Sequence, residues 1–136
     1  MPTPANLGDV MKVSDMVIEK VTAKANTAIE KGQLVCSDDT GDFVVATGVL
    51  SAEHRVCVAR ENISATQENR DLMVLVKGLI VAKKTSGIAI VTGAKLKIVT
   101  AGTVGLYLTA ESANLYVAYA HKPALGTDNK IWIRIQ

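Results

Sequence analysis

From Gly32 onward the chain is a succession of short Val-, Ile- and Leu-rich runs, most of them ended by Gly, Asn, Asp or Ser. Runs of about four to eight residues suit strands and are too short for packed helices. The runs are 33–37, 43–49, 55–60, 72–82, 88–91, 95–99, 104–108, 115–119 and 130–135. Many short strands at such spacing predict a mainly all-β chain, a small β-sandwich or β-barrel-like domain with at most one or two short helices. The longest run, 72–82, is apolar on both faces, so it is expected to be a central strand covered on both sides. Gly78 within it marks a bulge or bend. In 55–60, Val56 and Val58 share one face while Cys57 and Ala59 share the other.

The intervening segments carry turn chemistry. Asp38-Asp39-Thr40-Gly41-Asp42 reads as a hairpin turn, with Gly free to take positive φ and Asp able to bond its own backbone. The polar insertion 62–71 contains Ser64 and Gln67 at capping-box spacing, which allows one helical turn. Residues 10–29 fit two patterns. Val17, Val21 and Lys24 can form a helical stripe, while Val21, Ala23, Ala25, Thr27 and Ile29 alternate as a strand does; extended structure is the preferred reading. Residues 1–10, with Pro2 and Pro4, read as an extended N-terminal arm, leaving 11–136 as one β-rich domain. One internal echo stands out. Ala28, Ile29, Gly32 and Gly41 recur at a constant offset as Ala89, Ile90, Gly93 and Gly102. A duplicated turn-then-strand unit and chance both account for it.

Composition narrows the functional classes. Apolar residues make up 49% of the 136 and aromatics only 4%, so the core must be built from Val, Ala, Ile and Leu. A net charge of +2 predicts neither a nucleic-acid nor an anionic-membrane partner. No apolar stretch is long enough for a membrane helix, and 1–6 lacks the basic and apolar parts of a secretory signal. Cys36 and Cys57 then read as reduced core thiols. His54 and His121 lie in no ligand spacing and read as solvated surface residues. The Asp38–Asp42 segment does not fit an EF-hand loop. No phosphate-binding glycine loop or nucleophile elbow occurs, and Asn62-Ile63-Ser64 is a glycosylation match without a secretory context. No catalytic, metal-binding or cofactor-binding residue is expected. Lys77, Lys83, Lys84, Lys95 and Lys97 form the densest basic set; Lys77 and Lys95 are placed to meet across neighbouring strands, but solubilising lysines on exposed faces and edges are the preferred reading. In 130–135, Ile131, Ile133 and Ile135 share one face, opposite Lys130, Trp132 and Arg134. Trp132 and Arg134 are therefore candidate subunit-interface residues, because Trp and Arg are enriched at such anchors.

Three stretches carry a resemblance. Residues 28–35, 74–81 and 93–96, with the closing runs 117–120 and 131–135, resemble small phage head proteins. The chain resembles capsid decoration (cement) proteins of tailed viruses, especially a short head-protein family of unknown function, with the lambda-type decoration protein a looser match. The resemblance implies a compact β-domain, commonly a homotrimer, on the outer capsid of the virion. It would be made in the host cytoplasm and would stabilise the shell by binding the major capsid protein. It implies no enzyme activity. It also implies that the arm contacts the shell, which makes Pro2, Thr3, Pro4, Asn6 and Leu7 candidate capsid contacts. Three alternatives remain: another tail or fibre component, a β-rich ligand-binding module of carbohydrate type, and an enzyme whose convergent site is not visible in one sequence.

Overall fold

The computed structural model describes residues 6–8, 10–11, 16–47, 56–100, 102–107 and 117–135. Those residues form ten strands and no helix: β1 (Val10–Met11), β2 (Val17–Thr22), β3 (Leu34–Ser37), β4 (Phe43–Val45), β5 (Val56–Ala59), β6 (Asp71–Lys83), β7 (Lys95–Thr100), β8 (Thr103–Leu106), β9 (Ala118–Ala120) and β10 (Lys130–Ile135). The all-β expectation holds. The strand ladders are antiparallel, and β6 is the spine. Its first half lies between β2 and β5, and the first sheet continues through β3 to β4. Its second half lies between β1 and β10, and the second sheet continues through β9 and β7 to β8. Gly78, at φ 133, stands where β6 passes from one sheet to the other, in a conformation that L side chains rarely adopt.

Each sheet curls until its ends meet. A parallel bridge joins Ala23 to Phe43 in the first lobe, and another joins Lys84 to Val104 in the second. These positions are 61 residues apart, and so is nearly everything else. The pairs Val35–Val45, Leu34–Val58 and Ile29–Ile63 of the first lobe become Leu96–Leu106, Lys95–Tyr119 and Ile90–Ala124 in the second. The turn glycines Gly32 (φ 87) and Gly41 (φ 91) become Gly93 (φ 85) and Gly102 (φ 73), and Asn26 (φ 62) becomes Gly87 (φ 106). The echo seen in the sequence is therefore a structural duplication of the whole lobe. One difference interrupts the register. Three residues separate Gln67 from Asp71, but one separates Asp128 from Lys130, so the last strand of the second lobe arrives two residues early. Its pairings compensate: Thr22–Asp71 becomes Lys83–Lys130, and Val58–Leu75 becomes Tyr119–Arg134.

Both lobes bury the same inward positions. Ile29, Val35, Phe43, Cys57, Ala59, Ile63, Leu72 and Val74 fill the first; Ile90, Leu96, Val104, Ala118, Ala120, Ala124, Ile131 and Ile133 fill the second. The second core extends outward to take in Leu34, Cys36, Ala46, Val58 and Leu75 from the outer wall of the first lobe. The predicted alternation in β5 is thus real, with Val58 serving one cluster and Cys57 and Ala59 the other. The cysteines are buried and unbridged on opposite faces.

Several expectations are corrected. The segment 62–71 forms no helical turn, because Ile63 pairs with Ile29 and holds the chain extended. The capping-box geometry survives only as a turn in which Ser64 N–H donates to Gln67 Oε1 at 3.4 Å and Gln67 N–H donates to Ser64 O at 3.3 Å. The run 88–91 is not a strand; only Ile90 pairs, and Ile88 and Val91 are exposed. Of the proposed arm, residues 1–5 and Asp9 lie outside the described residues. Its remainder is docked: Gly8 N–H donates to Val81 O at 2.9 Å, and Leu7 lies over Gly32, where a Cβ would stand 2.9 Å from its Cδ2. Parts of the runs 43–49, 104–108 and 115–119, together with His54 and Arg55, also fall outside the described residues.

Candidate interaction surface

The second lobe's outer wall is built by register. Lys95 of β7 stands opposite Tyr119 of β9, and Tyr119 opposite Arg134 of β10. Cross-strand partners share a face, so these three form one row, with Lys97 beside it two residues along β7. The same face continues along β10 through Trp132 and Lys130. Lys95 is exposed, and Lys97, Tyr119, Trp132 and Arg134 are half-buried. The two interface candidates, Trp132 and Arg134, therefore lie on one aromatic and cationic surface, with Ile131, Ile133 and Ile135 buried behind them.

Trp132 also borders a shallow pocket of about 240 Å³, lined with Val81, Pro123 and Asp128 among others. The Lys122 ammonium sits 5.7 Å from the Trp132 ring centroid, a cation–π distance. That ammonium lies over one face of the ring, so a planar ligand stacking on that face would have to displace it.

Lys77 and Lys95 do not meet. Lys77 pairs with Val17 on β2, while β7 pairs with β8 and β9. Nor is Lys84 a solubilising surface residue: it is 3% exposed, and its Nζ donates to Thr85 O at 2.9 Å and Asp128 O at 3.2 Å. Lys83 pairs with Glu30. Among the described residues no three His, Cys, Asp or Glu side chains are grouped to hold a metal. His121 is half-buried at the mouth of β9. The Asp38 turn is a hairpin, as expected. Asp38 Oδ1 accepts from Thr40 Oγ1 at 2.6 Å, Thr40 N–H at 2.9 Å and Asp42 N–H at 3.1 Å. The Thr40 hydroxyl above all holds the Asp38 carboxyl below its ordinary pKa.

A second surface was not singled out from the sequence. Ile88, Val91 and Leu125 are 48%, 70% and 68% exposed, on two segments that the Ile90–Ala124 pairing holds side by side. Their counterparts in the first lobe are Thr27, Glu30 and Ser64, all polar. The 61-residue offset is the signal that exposes the contrast, since each run alone looks like an ordinary strand or loop. No protein-family model matches the chain, and no curated protein matches it.

Proposed function

We propose that the protein is a structural component of a virion, a decoration protein that binds the outer capsid surface and stabilises it. The class comes from the resemblance of its Gly/Val runs to capsid decoration proteins. The observation that carries docking is the exposed apolar set Ile88, Val91 and Leu125, present on one lobe and polar on its duplicate. A surface built to remain in water has no use for three large apolar side chains together, and contiguous apolar exposure marks protein contact sites. The rigid all-β body suits repeated attachment, because many weak contacts over a shell add up to avidity. In this reading the major capsid protein is the partner, no cofactor is needed, and no reaction is catalysed. The arm residues Pro2, Thr3, Pro4 and Asn6 would contact the shell, while Leu7 is also seated on the body over Gly32.

Sedimentation with expanded capsids that lack the protein tests the reading. The wild-type protein is expected to co-sediment, and Ile88→Asp with Leu125→Asp to remain in the supernatant while folding normally. A wild-type protein that stays in the supernatant sinks the proposal.

The pocket at Trp132 favours a second reading, a ligand-binding module of carbohydrate type. Trp132 is the chain's one tryptophan, so its fluorescence reports on the site directly. A saturable change on titration with oligosaccharides would favour that reading, although Lys122 already covers one ring face.

A further inference from the structure

The contact between the two lobes is head-to-tail. The second lobe offers its β7–β8 hairpin tip, and the first offers its outer wall. Gly102 at the tip accepts from Leu34 N–H and donates to Ala46 O, both at 2.9 Å. A Cβ on Gly102 would lie 2.9 Å from Gln33 Cβ and 3.0 Å from Val45 Cγ1, so the tip is pressed against the wall. Behind it, Ile98 and Val104 pack with Leu34, Cys36, Val58 and Leu75.

Because the lobes are duplicates, each carries both halves of this contact, and among the described residues only the second lobe's tip is seated on a lobe wall. The unused tip is that of the first lobe, Asp38–Asp42. Its Gly41 corresponds to Gly102, but a Cβ there would meet nothing within 4 Å. The unused wall is that of the second lobe. Leu34, Cys36, Val58 and Leu75 are replaced there by Lys95, Lys97, Tyr119 and Arg134.

Charge has changed on both halves together. The used tip, 99–103, is Val-Thr-Ala-Gly-Thr, and its wall is apolar. The unused tip carries Asp38, Asp39 and Asp42, with Lys24 set against Asp38 at 3.6 Å, and the unused wall carries Lys95, Lys97 and Arg134. The internal contact is permanent and can be apolar. A contact between separate molecules must stay soluble when open, and complementary charge gives it both solubility and register.

We infer that this protein self-associates head-to-tail, the acidic Asp38–Asp42 tip of one copy seating on the Lys95–Lys97–Tyr119–Arg134 wall of the next. The contact repeats between molecules the one made within each. A heterologous contact of this kind closes into a ring when its rotation permits. It deepens the decoration reading, for which the resemblance implies a homotrimer, and rests on that reading only for the expectation of an oligomer.

Light scattering on the full chain tests it. The wild-type protein is expected at a multiple of its 14.4 kDa mass at low salt and to dissociate as salt is raised, since exposed charge pairs are screened. Lys95→Glu with Lys97→Glu, or Asp39→Lys with Asp42→Lys, is expected to weaken association by about tenfold or more, because like charges then face each other. The chain carrying all four reversals restores opposite signs and is expected to associate again. This rescue separates a broken contact from a damaged fold. A monomeric wild type at low salt overturns the inference, as does an oligomer indifferent to either pair of reversals, or a folded four-fold variant that stays monomeric. Capsid binding is read separately. An associating protein that ignores capsids would leave this inference standing and defeat the decoration reading, and a monomer that binds capsids would do the reverse.

Discussion

The two lobes have one architecture and two environments. Wall positions of the first, Leu34, Cys36, Val58 and Leu75, are 3% exposed or less because the second lobe covers them. The same positions of the second lobe hold Lys95, Lys97, Tyr119 and Arg134 and face outward. Inward positions stay apolar in both, since each lobe must still fill its own curl. Apart from the two-residue shift before β10, what distinguishes the copies is which outer surfaces meet water. Duplication supplied two identical scaffolds, and the side chains that differ mark where each is used.

The sharpest way to break the comparison is to truncate the same wall position in each lobe. Leu75→Ala removes a fully buried side chain between the lobes and is expected to cost about 2–5 kcal/mol in chemical denaturation. Arg134→Ala, its duplicate, is expected to stay within about 0.5–1 kcal/mol. Equal costs would mean that the two walls are equally covered.

Next come the cations bonded to turn carbonyls, Arg70 half-buried and Lys84 buried. In the first lobe, Arg70 donates through its Nη atoms to Lys24 O, Thr27 O, Ser64 O and Gln67 O. In the second, Lys84 donates to Thr85 O and Asp128 O, the counterparts of Lys24 O and Gln67 O. Asn129 stands at Arg70's place in the second lobe, since Lys84 N–H donates to Asn129 O as Ala23 N–H donates to Arg70 O, and its short side chain carries no cation. Lys84, just past the end of β6 where the first lobe has Ala23, delivers a cation to the counterparts of two of those carbonyls. Lys84→Met keeps the packing and leaves those carbonyls without a donor, for an expected loss of about 1–3 kcal/mol. Arg70→Met is expected to cost at least as much, because Lys24 O, Thr27 O and Gln67 O lose their donor and Ser64 O keeps only the long bond from Gln67 N–H. A neutral Lys84→Met would show that water satisfies the carbonyls instead.

The hairpin glycines give a smaller contrast. Both have positive φ, so Gly41→Ala and Gly102→Ala each incur the left-handed penalty of about 1–2 kcal/mol. Only Gly102→Ala also meets a neighbouring wall, and it is expected to exceed Gly41→Ala by about 1 kcal/mol or more. Equal losses would undo the claim that one tip is docked and the other open.

Much of this was legible in the sequence, and the parts that were not share a cause. The strands β5 and β10 follow from local alternation, β6 from a continuous apolar run, and Gly78 was readable as a bend because it interrupts that run. The run 88–91 misleads because its residues favour strands, yet turns at Gly87 and Gly93 leave space for one pairing at Ile90. Lys84 looked like half of an exposed Lys-Lys pair. Its burial shows only when it is aligned with Ala23, and that requires the duplication to be taken seriously. The Lys95–Tyr119–Arg134 row is invisible locally, because its members come from three strands whose register is set by non-local pairing. Lys77 and Lys95 were expected to meet for the same reason that this row was missed.

The smallest expected effect separates the two tips by pH. Asp38 holds the first lobe's hairpin through Thr40 and Asp42, while Val99 stands at its place in the second and has nothing to titrate. The folded pKa of Asp38 lies below its ordinary value of 3.8, so its ionised form favours the folded state. That contribution is complete above the unfolded pKa and is lost as pH falls through the lower, folded one. Asp38→Asn keeps an oxygen acceptor and removes the charge. The stability gap between wild type and this variant is expected to hold steady from neutral pH down to about 5 and to shrink below 3.8. A gap independent of pH would assign the turn to acceptor geometry alone. An Asp38 carboxyl that titrates at or above its ordinary value by NMR would remove the charge from the account of this hairpin, leaving both tips held by backbone geometry.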